Sequence, residues 1–453
     1  MKLTVIGGGG VRSMFLAKSL ASRAQELNIN EIVFMDQDGD KLKLYGGMAK
    51  VVAEKLNASL RFTLTENAED AVRDADYVIT TIRAGGDAMR VKDERIALSL
   101  GVLGQETTGA AGFSFAMRSV PALLGYCELI KKLAKSTVKV FNFTNPAGVV
   151  SQALRDAGYD FTFGICDAPT GMLSQFADFY GVAPDKVEGE CYGLNHLSFF
   201  KSVKIDGKEV LQELLSSETA RKTTEMKFFE KGLLNLLQEI PNEYLYYFYY
   251  REQAVANILA AGKTRGELIQ EINTNMTKEL TQTEGGFEKQ LAVFEKWYGV
   301  RDSMYMANET GIARGGNPWR FDIYSPDEGG YAGVALKYIR LERAGGSGNM
   351  VLCAPNHGAL DFLQDNDIIE VTCTITKDGV TSHRFGGVSE DKKRLISAVK
   401  LYERLASKAI LHKDRASAIK ALLVHPLVNS YSLAQKLADR YIELNKEYGG
   451  EWR

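Results

Sequence analysis

Cysteine is scarce and scattered in this chain: its 453 residues contain five, at positions 127, 166, 191, 353 and 373. An odd, widely spaced set is not a disulfide framework, and it predicts reduced thiols in a cytoplasmic protein. A dominant sign of charge is missing as well. The formal net charge is −2 with 25% charged residues, which argues against a nucleic-acid surface or an acidic tail. No run approaches the roughly 18 apolar residues needed to cross a bilayer. The chain opens Met-Lys and passes straight into a strand-like segment, so no signal peptide is expected. Internal repeats, low-complexity tracts and flexible linkers are lacking. Histidine is rare too, at five residues.

Apolar residues are plentiful, at 45% of the chain, and at this length two lobes are expected. Residues 1–160 alternate strand and helix signals. Apolar runs at 3–6, 31–35, 76–81 and 138–143 read as buried strands, and 13–27 reads as a helix after the first of them. Buried strands alternating with helices predict a parallel sheet with right-handed crossovers. Ligands on such sheets sit at the carboxyl ends of the strands, where Asp36, Arg83 and Asn145 fall. Over 161–453 the pattern loosens. Helical segments are expected at 210–239 and 266–297, alternating strand character at 367–375, and a helical tail at 389–445 broken by Pro426. The expected class is α/β: a Rossmann-like parallel-sheet lobe followed by an α+β lobe.

Gly7, Gly8, Gly9 and Gly10 lie between the first strand and the first helix. Glycines let backbone amides approach a pyrophosphate, and the helix N-terminus adds a favourable field. Asp36 closes the second strand, where an acidic residue bonds a ribose 2′-hydroxyl, which favours NAD over NADP. Arg12 and Lys41 bear on that choice, and the run is not a clean G-x-G-x-x-G because Arg12 holds its last position. The bland reading is a glycine turn that only packs helix on strand.

A second constellation joins Gly164-Ile165-Cys166-Asp167-Ala168-Pro169 to Gly193-Leu194-Asn195-His196. A thiolate and an imidazole suit a divalent transition metal, and the spacing is not that of a zinc finger. Each residue alone reads as core: a small buried hydrophobe and a histidine satisfied by a carbonyl. As a pair they leave coordination positions open for a substrate diol or water, where the metal acts as a Lewis acid. The tyrosine-rich stretch 244–250 reads mainly as an amphipathic face, in which one phenol near a cation could serve as a base. Arg83, Arg90, Arg95, Arg265 and Arg314 are solvated charges or, some of them, a phosphate clamp.

Together these segments resemble the NAD- and divalent-metal-dependent glycoside hydrolases of family 4. Beside those above, the likeness rests on Gln105-Glu106-Thr107-Thr108-Gly109, Thr144-Asn145-Pro146, Pro241-Asn242-Glu243-Tyr244-Leu245, Arg314-Gly315-Gly316 and Ala354-Pro355-Asn356. The family is an exception to the two-carboxylate scheme of glycoside hydrolysis. The resemblance implies a lactate/malate dehydrogenase-like fold and a redox-assisted elimination. Hydride passes from sugar C3 to NAD, a base removes the acidified C2 proton, the glycosidic oxygen leaves, water adds, and the hydride returns. It implies Cys166 and His196 as ligands of a divalent metal, Mn²⁺ above others, Asp167 as general acid and Tyr244 as base. Asn is expected in place of Asp167 in members that cleave β-glycosides. Gly7, Gly8, Gly9, Gly10, Asp36 and Arg83 would hold the cofactor. Glu106 and Asn145 would meet sugar hydroxyls, and Arg90 and Arg265 the 6-phosphate.

The expected activity is hydrolysis of 6-phospho-α-glucosides such as maltose 6′-phosphate by a cytoplasmic homo-oligomer, a dimer or tetramer. The alternatives are the same chemistry on a β-linked or unphosphorylated sugar, and a plain NAD-dependent 2-hydroxy acid dehydrogenase. Three departures from the family's pattern leave the aglycone and the need for phosphate open. Gly10-Val11-Arg12-Ser13 replaces a Ser/Thr-rich turn, Ala313 stands where a polar residue is usual, and His357 where Arg is more usual.

Overall fold

The computed structural model describes residues 1–314, 318–325 and 331–453, so Gly315 and Gly316 lie outside the described residues. It contains two compact units, neither continuous in sequence. One comprises Met1–Pro146, Arg251–Asp327 and Gln435–Arg453; the other comprises Ala147–Tyr250 and Glu328–Ala434.

The first unit is built on five parallel strands, β1 (Lys2–Ile6), β2 (Glu31–Met35), β3 (Arg61–Thr65), β4 (Tyr77–Thr80) and β5 (Lys139–Asn142), in the order β5-β4-β1-β2-β3. That is the doubly wound order of the Rossmann-like lobe expected from the apolar runs. Ile6 pairs with both Met35 and Thr80, so the residues after β1, β2 and β4 emerge at one sheet edge. The first helix, Ser13–Arg23, is shorter than the expected 13–27; turn bonds follow it and lead to Asn28 at φ +55°.

The compact units are not the stretches 1–160 and 161–453. Residues 251–327 join the first unit because their helices, Arg265–Gln282 and Phe287–Ser303, bury apolar faces against its early helices. Phe294 is fully buried in a cluster with Met14, Tyr45, Met48, Val52 and Met276. Phe15 lies over Tyr298 at a ring-centroid distance of 4.8 Å. Burial of each such side chain contributes about 1.5–3 kcal/mol.

The second unit carries β6 (Thr162–Gly164), β7 (Val187–Leu194), β8 (Leu197–Ile205), β9 (Lys208–Glu209), β10 (Ile240–Pro241), β11 (Gly348–Pro355), β12 (Ile368–Thr376) and β13 (Gly379–Ser382). β11 and β12 pair antiparallel, with β6 on β11 and β13 on β12. β7 and β8 form a hairpin, to which β9 and β10 add. The helix expected over 210–239 is three short ones, Leu211–Ser216, Glu218–Thr223 and Lys231–Leu237. Ser217 and Thr224 interrupt it because their hydroxyls cap new turns instead of continuing the old one.

Candidate active site

In the first unit the sheet's carboxyl edge is lined by the predicted cofactor residues. Gly7 sits at φ +100°, and a Cβ there would stand 2.5 Å from the Thr81 carbonyl oxygen. Only glycine allows this approach of the turn to the end of β4. Gly8 and Gly9 are buried, while Gly10 is exposed just before the helix Ser13–Arg23. The Asp36 carboxylate accepts from Gly9 N at 2.9 Å and Asp38 N at 3.1 Å, tying the end of β2 to the glycine turn. An open glycine turn at a helix N-terminus with a carboxylate beside it fits a dinucleotide.

Next along the edge is a network of charges. Arg83 follows β4 and pairs with Glu106 and, at 3.7 Å, with Asp87. Glu106 also receives Arg90 at 3.1 Å, and Arg90 holds Glu94 at 2.8 Å. Burial works against ionisation of Glu106, but Arg83 and Arg90 outweigh it and hold its carboxyl down to about 2. Asn145 follows β5, and its carbonyl accepts from Ser119 Oγ at 3.0 Å. Arg265 opens the helix Arg265–Gln282, where Thr264 and Glu267 form a capping box. Its guanidinium donates to the Met304 and Arg301 carbonyls at 2.9 and 3.0 Å, closing the end of the helix Phe287–Ser303. Arg301 was not singled out from the sequence, since an arginine late in a charged helix looks like any solvated one. Its guanidinium bonds Asn273 at 3.2 Å, and no carboxylate pairs with it among the described residues. Burial, with Arg12 and Arg265 nearby, pushes it down to about 10. A gathering of guanidinium groups suits a phosphate.

In the second unit Cys166 and Asp167 lie between β6 and the helix Ala168–Tyr180, with Asp167 at its N-cap position and Pro169 in its first turn. Asn195 and His196 are the two-residue turn of the β7–β8 hairpin, and Leu194 pairs with Leu197 across it. His196 is held at φ +63°, an uncommon conformation for a residue with a side chain. Tyr244 begins just past β10, its amide held by the Asn242 side chain at 3.0 Å. Its ring stacks flat on His196, with centroids 3.7 Å apart and planes 3° from parallel.

Strand register links these segments. Cys353 of β11 faces Gly164 of β6 on one side and Glu370 of β12 on the other. Glu370, also absent from the sequence reading, accepts from Asn195 Nδ2 at 3.0 Å and Ser198 Oγ at 2.7 Å. The signal was there: Glu370 is the one charge in Ile368-Ile369-Glu370-Val371-Thr372-Cys373. Burial and the negative charges of Glu370, Asp167 and Glu243 push the Cys166 thiol up, a cost that a bound cation would relieve. Among the described residues no three His, Cys, Asp or Glu side chains gather to hold a metal. Cys166 and His196 carry a thiol and an imidazole, donor types that fit an exchangeable divalent cation completed by other ligands.

The predicted residues fall into two sets. Gly7 to Gly10, Asp36, Arg83, Arg90, Glu106, Asn145 and Arg265 belong to the first unit, and Cys166, Asp167, His196 and Tyr244 to the second. No helix among the described residues is long and apolar enough to cross a membrane.

Comparison with known proteins bears on what these sets are. The model for family 4 glycosyl hydrolases matches residues 2–182, and that for the family 4 C-terminal domain matches residues 191–428. The 6-phospho-beta-glucosidase of Thermotoga maritima is 30% identical over 451 residues, 99% of each chain. A phospho-alpha-glucosidase of Clostridium acetobutylicum is 25% identical over 470, covering 99% of this chain and 98% of its own. The Thermotoga maritima enzyme solved with manganese, NAD⁺ and glucose-6-phosphate superposes with a TM-score of 0.81 at 28% identity, over 99% of both chains. At the level of fold alone, a Plasmodium falciparum malate dehydrogenase matches 91% of this chain and 99% of its own, at 12% identity and a TM-score of 0.50. The α/β class and the Rossmann-like first lobe stand as expected, and the chain belongs to the family 4 glycosyl hydrolases.

Proposed function

We propose that the chain hydrolyses 6-phospho-α-glucosides, maltose 6′-phosphate among them, with NAD and a divalent cation, Mn²⁺ first, as resident cofactors. The observation that carries the chemistry is the His196–Tyr244 stack, which puts a phenol against a metal-type imidazole in the hairpin tied to the Cys166 segment. When bound, NAD supplies a hydride acceptor for sugar C3, and the cation supplies a Lewis acid for the neighbouring oxygens. Cys166 and His196 would hold the cation. Gly7 to Gly10 and Asp36 would hold the dinucleotide, with Arg83 beside it. Tyr244, ionised to the phenolate, takes the proton from C2 of the oxidised sugar. Asp167, at the N-cap of its helix, gives a proton to the departing glycosidic oxygen. Glu106 and Asn145 hold sugar hydroxyls. Arg90, Arg265 and the less neutralised Arg301 draw in the 6-phosphate. Relatives named as a 6-phospho-beta-glucosidase and a phospho-alpha-glucosidase support the phosphoglucoside class.

Asp167 supports the α anomer, since the family resemblance puts Asn there in β-cleaving members. A second reading, the β anomer, is favoured by the 30% identity to a 6-phospho-beta-glucosidase. The test is release of p-nitrophenol from its 6-phospho-α-glucoside, with NAD⁺, Mn²⁺ and a thiol. The β anomer and the unphosphorylated α-glucoside run alongside. Turnover of the phosphorylated α substrate alone is expected. Turnover of the β anomer alone overturns the anomer, and stoichiometric NADH with no p-nitrophenol points to a dehydrogenase.

A further inference from the structure

Glu370 is a buried carboxylate, 1% exposed, and the one charge in the strand Ile368–Thr376. Both its oxygens are satisfied, but by the neutral donors Asn195 Nδ2 and Ser198 Oγ. Among the described residues no lysine, arginine or histidine pairs with it. The charge that bears on it is Glu403, which is of the same sign. A buried negative charge facing no cation is costly, so it persists where something offsets it. Its position is specific. One bond reaches the residue before His196, and the strand register runs from Glu370 through Cys353 to Gly164, two residues before Cys166.

We propose that Glu370 contributes to the charge balance of the Cys166–His196 metal site and holds the Asn195–His196 turn through Asn195. A divalent cation brings two positive charges. A Cys166 thiolate supplies one negative charge and neutral His196 none; Glu370 adds another, alongside Asp167 and Glu243, whose charges also reach Cys166. The carboxylate does not touch the cation in this account. It is a positioning and charge-balancing residue that acts through Asn195 and through space. The burial that raises its carboxyl to about 7 has the sense expected of a group waiting for positive charge. The inference rests on the metal reading of Cys166 and His196 given above.

The test separates charge from hydrogen bonding. Glu370→Gln removes the charge and can keep both bonds, because the amide oxygen accepts from Asn195 while Ser198 Oγ turns to accept from the amide nitrogen. Ser198→Ala keeps the charge and removes one bond. Mn²⁺ is titrated into the full chain with NAD present, and free Mn²⁺ is read by electron paramagnetic resonance. NAD affinity and the thermal midpoint without Mn²⁺ are measured in parallel. Glu370→Gln is expected to weaken Mn²⁺ binding about 10- to 100-fold, the range for outer-shell partners of metal ligands. Its NAD affinity and thermal midpoint are expected to hold or rise. Ser198→Ala is expected to melt earlier yet bind Mn²⁺ within about threefold of the parent. Parent-like Mn²⁺ binding by Glu370→Gln, or equal losses in both variants, overturns the proposal. A parent protein that takes up no Mn²⁺ instead overturns the metal reading, and this inference with it.

Discussion

Glu106→Gln removes a single negative charge from a gathering of guanidinium groups, and its cost can be worked from the structure. Arg83 and Arg90, overcoming the opposing effect of burial, hold the Glu106 carboxyl at about 2 against an ordinary 4.5. At about 1.4 kcal/mol per unit, that depression is worth about 3 kcal/mol to the folded state at neutral pH. A depressed carboxylate stabilises above its unfolded value and loses that contribution as pH falls through its folded one. The deficit of Glu106→Gln is therefore about 3 kcal/mol at pH 7 and about 1 kcal/mol at pH 3, where the parent has lost most of its own advantage. All three tryptophans, Trp297, Trp319 and Trp452, lie in the same unit, so urea unfolding followed by their fluorescence reads it. Inorganic phosphate should stabilise the variant more than the parent, because the arginines have lost their internal partner. At a hundred times the dissociation constant that stabilisation is about 2.7 kcal/mol. Unfolding curves that coincide with the parent's at both pH values, or phosphate that helps the parent more, would refute the electrostatic account.

Tyr244→Phe keeps the stack on His196 and removes the phenol, so turnover should fall at least about a hundredfold, in the range of general-base losses, while glucose 6-phosphate binding by calorimetry stays near the parent's. Asp167→Asn should slow alkyl 6-phosphoglucosides far more than p-nitrophenyl ones; equal losses would argue against an acid role. Phe294→Ala opens a cavity in the core of the first unit, and urea unfolding should show a loss of about 3–5 kcal/mol. His425 is buried, accepts from Leu427 N through Nδ1, and is pushed down to about 3 by burial. Its unfolded form binds the extra proton below about 6.5, so stability should drop by about 2 kcal/mol from pH 7 to pH 5, and His425→Gln should flatten that slope in thermal melts.

The parallel sheet was legible because its strands are short apolar runs, each closed by a residue that marks the edge: Gly7 after β1, Asp36 after β2, Asn145 soon after β5. The turn carrying His196 was legible for the same reason, as two polar residues between apolar runs. Other features depend on partners far along the chain. The helices of residues 251–327 carry mixed charge, and their docking on the first helix depends on Phe15, Phe294 and Tyr298 meeting side by side. Arg265 offered itself as a phosphate ligand, yet its guanidinium bonds two carbonyls some 40 positions later, at Arg301 and Met304. Arg301 escaped notice because its burial and charge surroundings have no signature in local sequence, whereas Glu370 stood out as the one charge in Ile368-Ile369-Glu370-Val371-Thr372-Cys373 but its partners, Asn195 and Ser198, lie far back along the chain.

The central claim, hydrolysis by way of a C2 proton removed and returned, is tested most directly by letting the enzyme work in deuterium oxide with NAD⁺ and Mn²⁺. The glucose 6-phosphate formed is then read by NMR, with NADH followed at the same time. The account predicts deuterium at C2 of the product and no accumulation of NADH. Product with its C2 proton intact would contradict it.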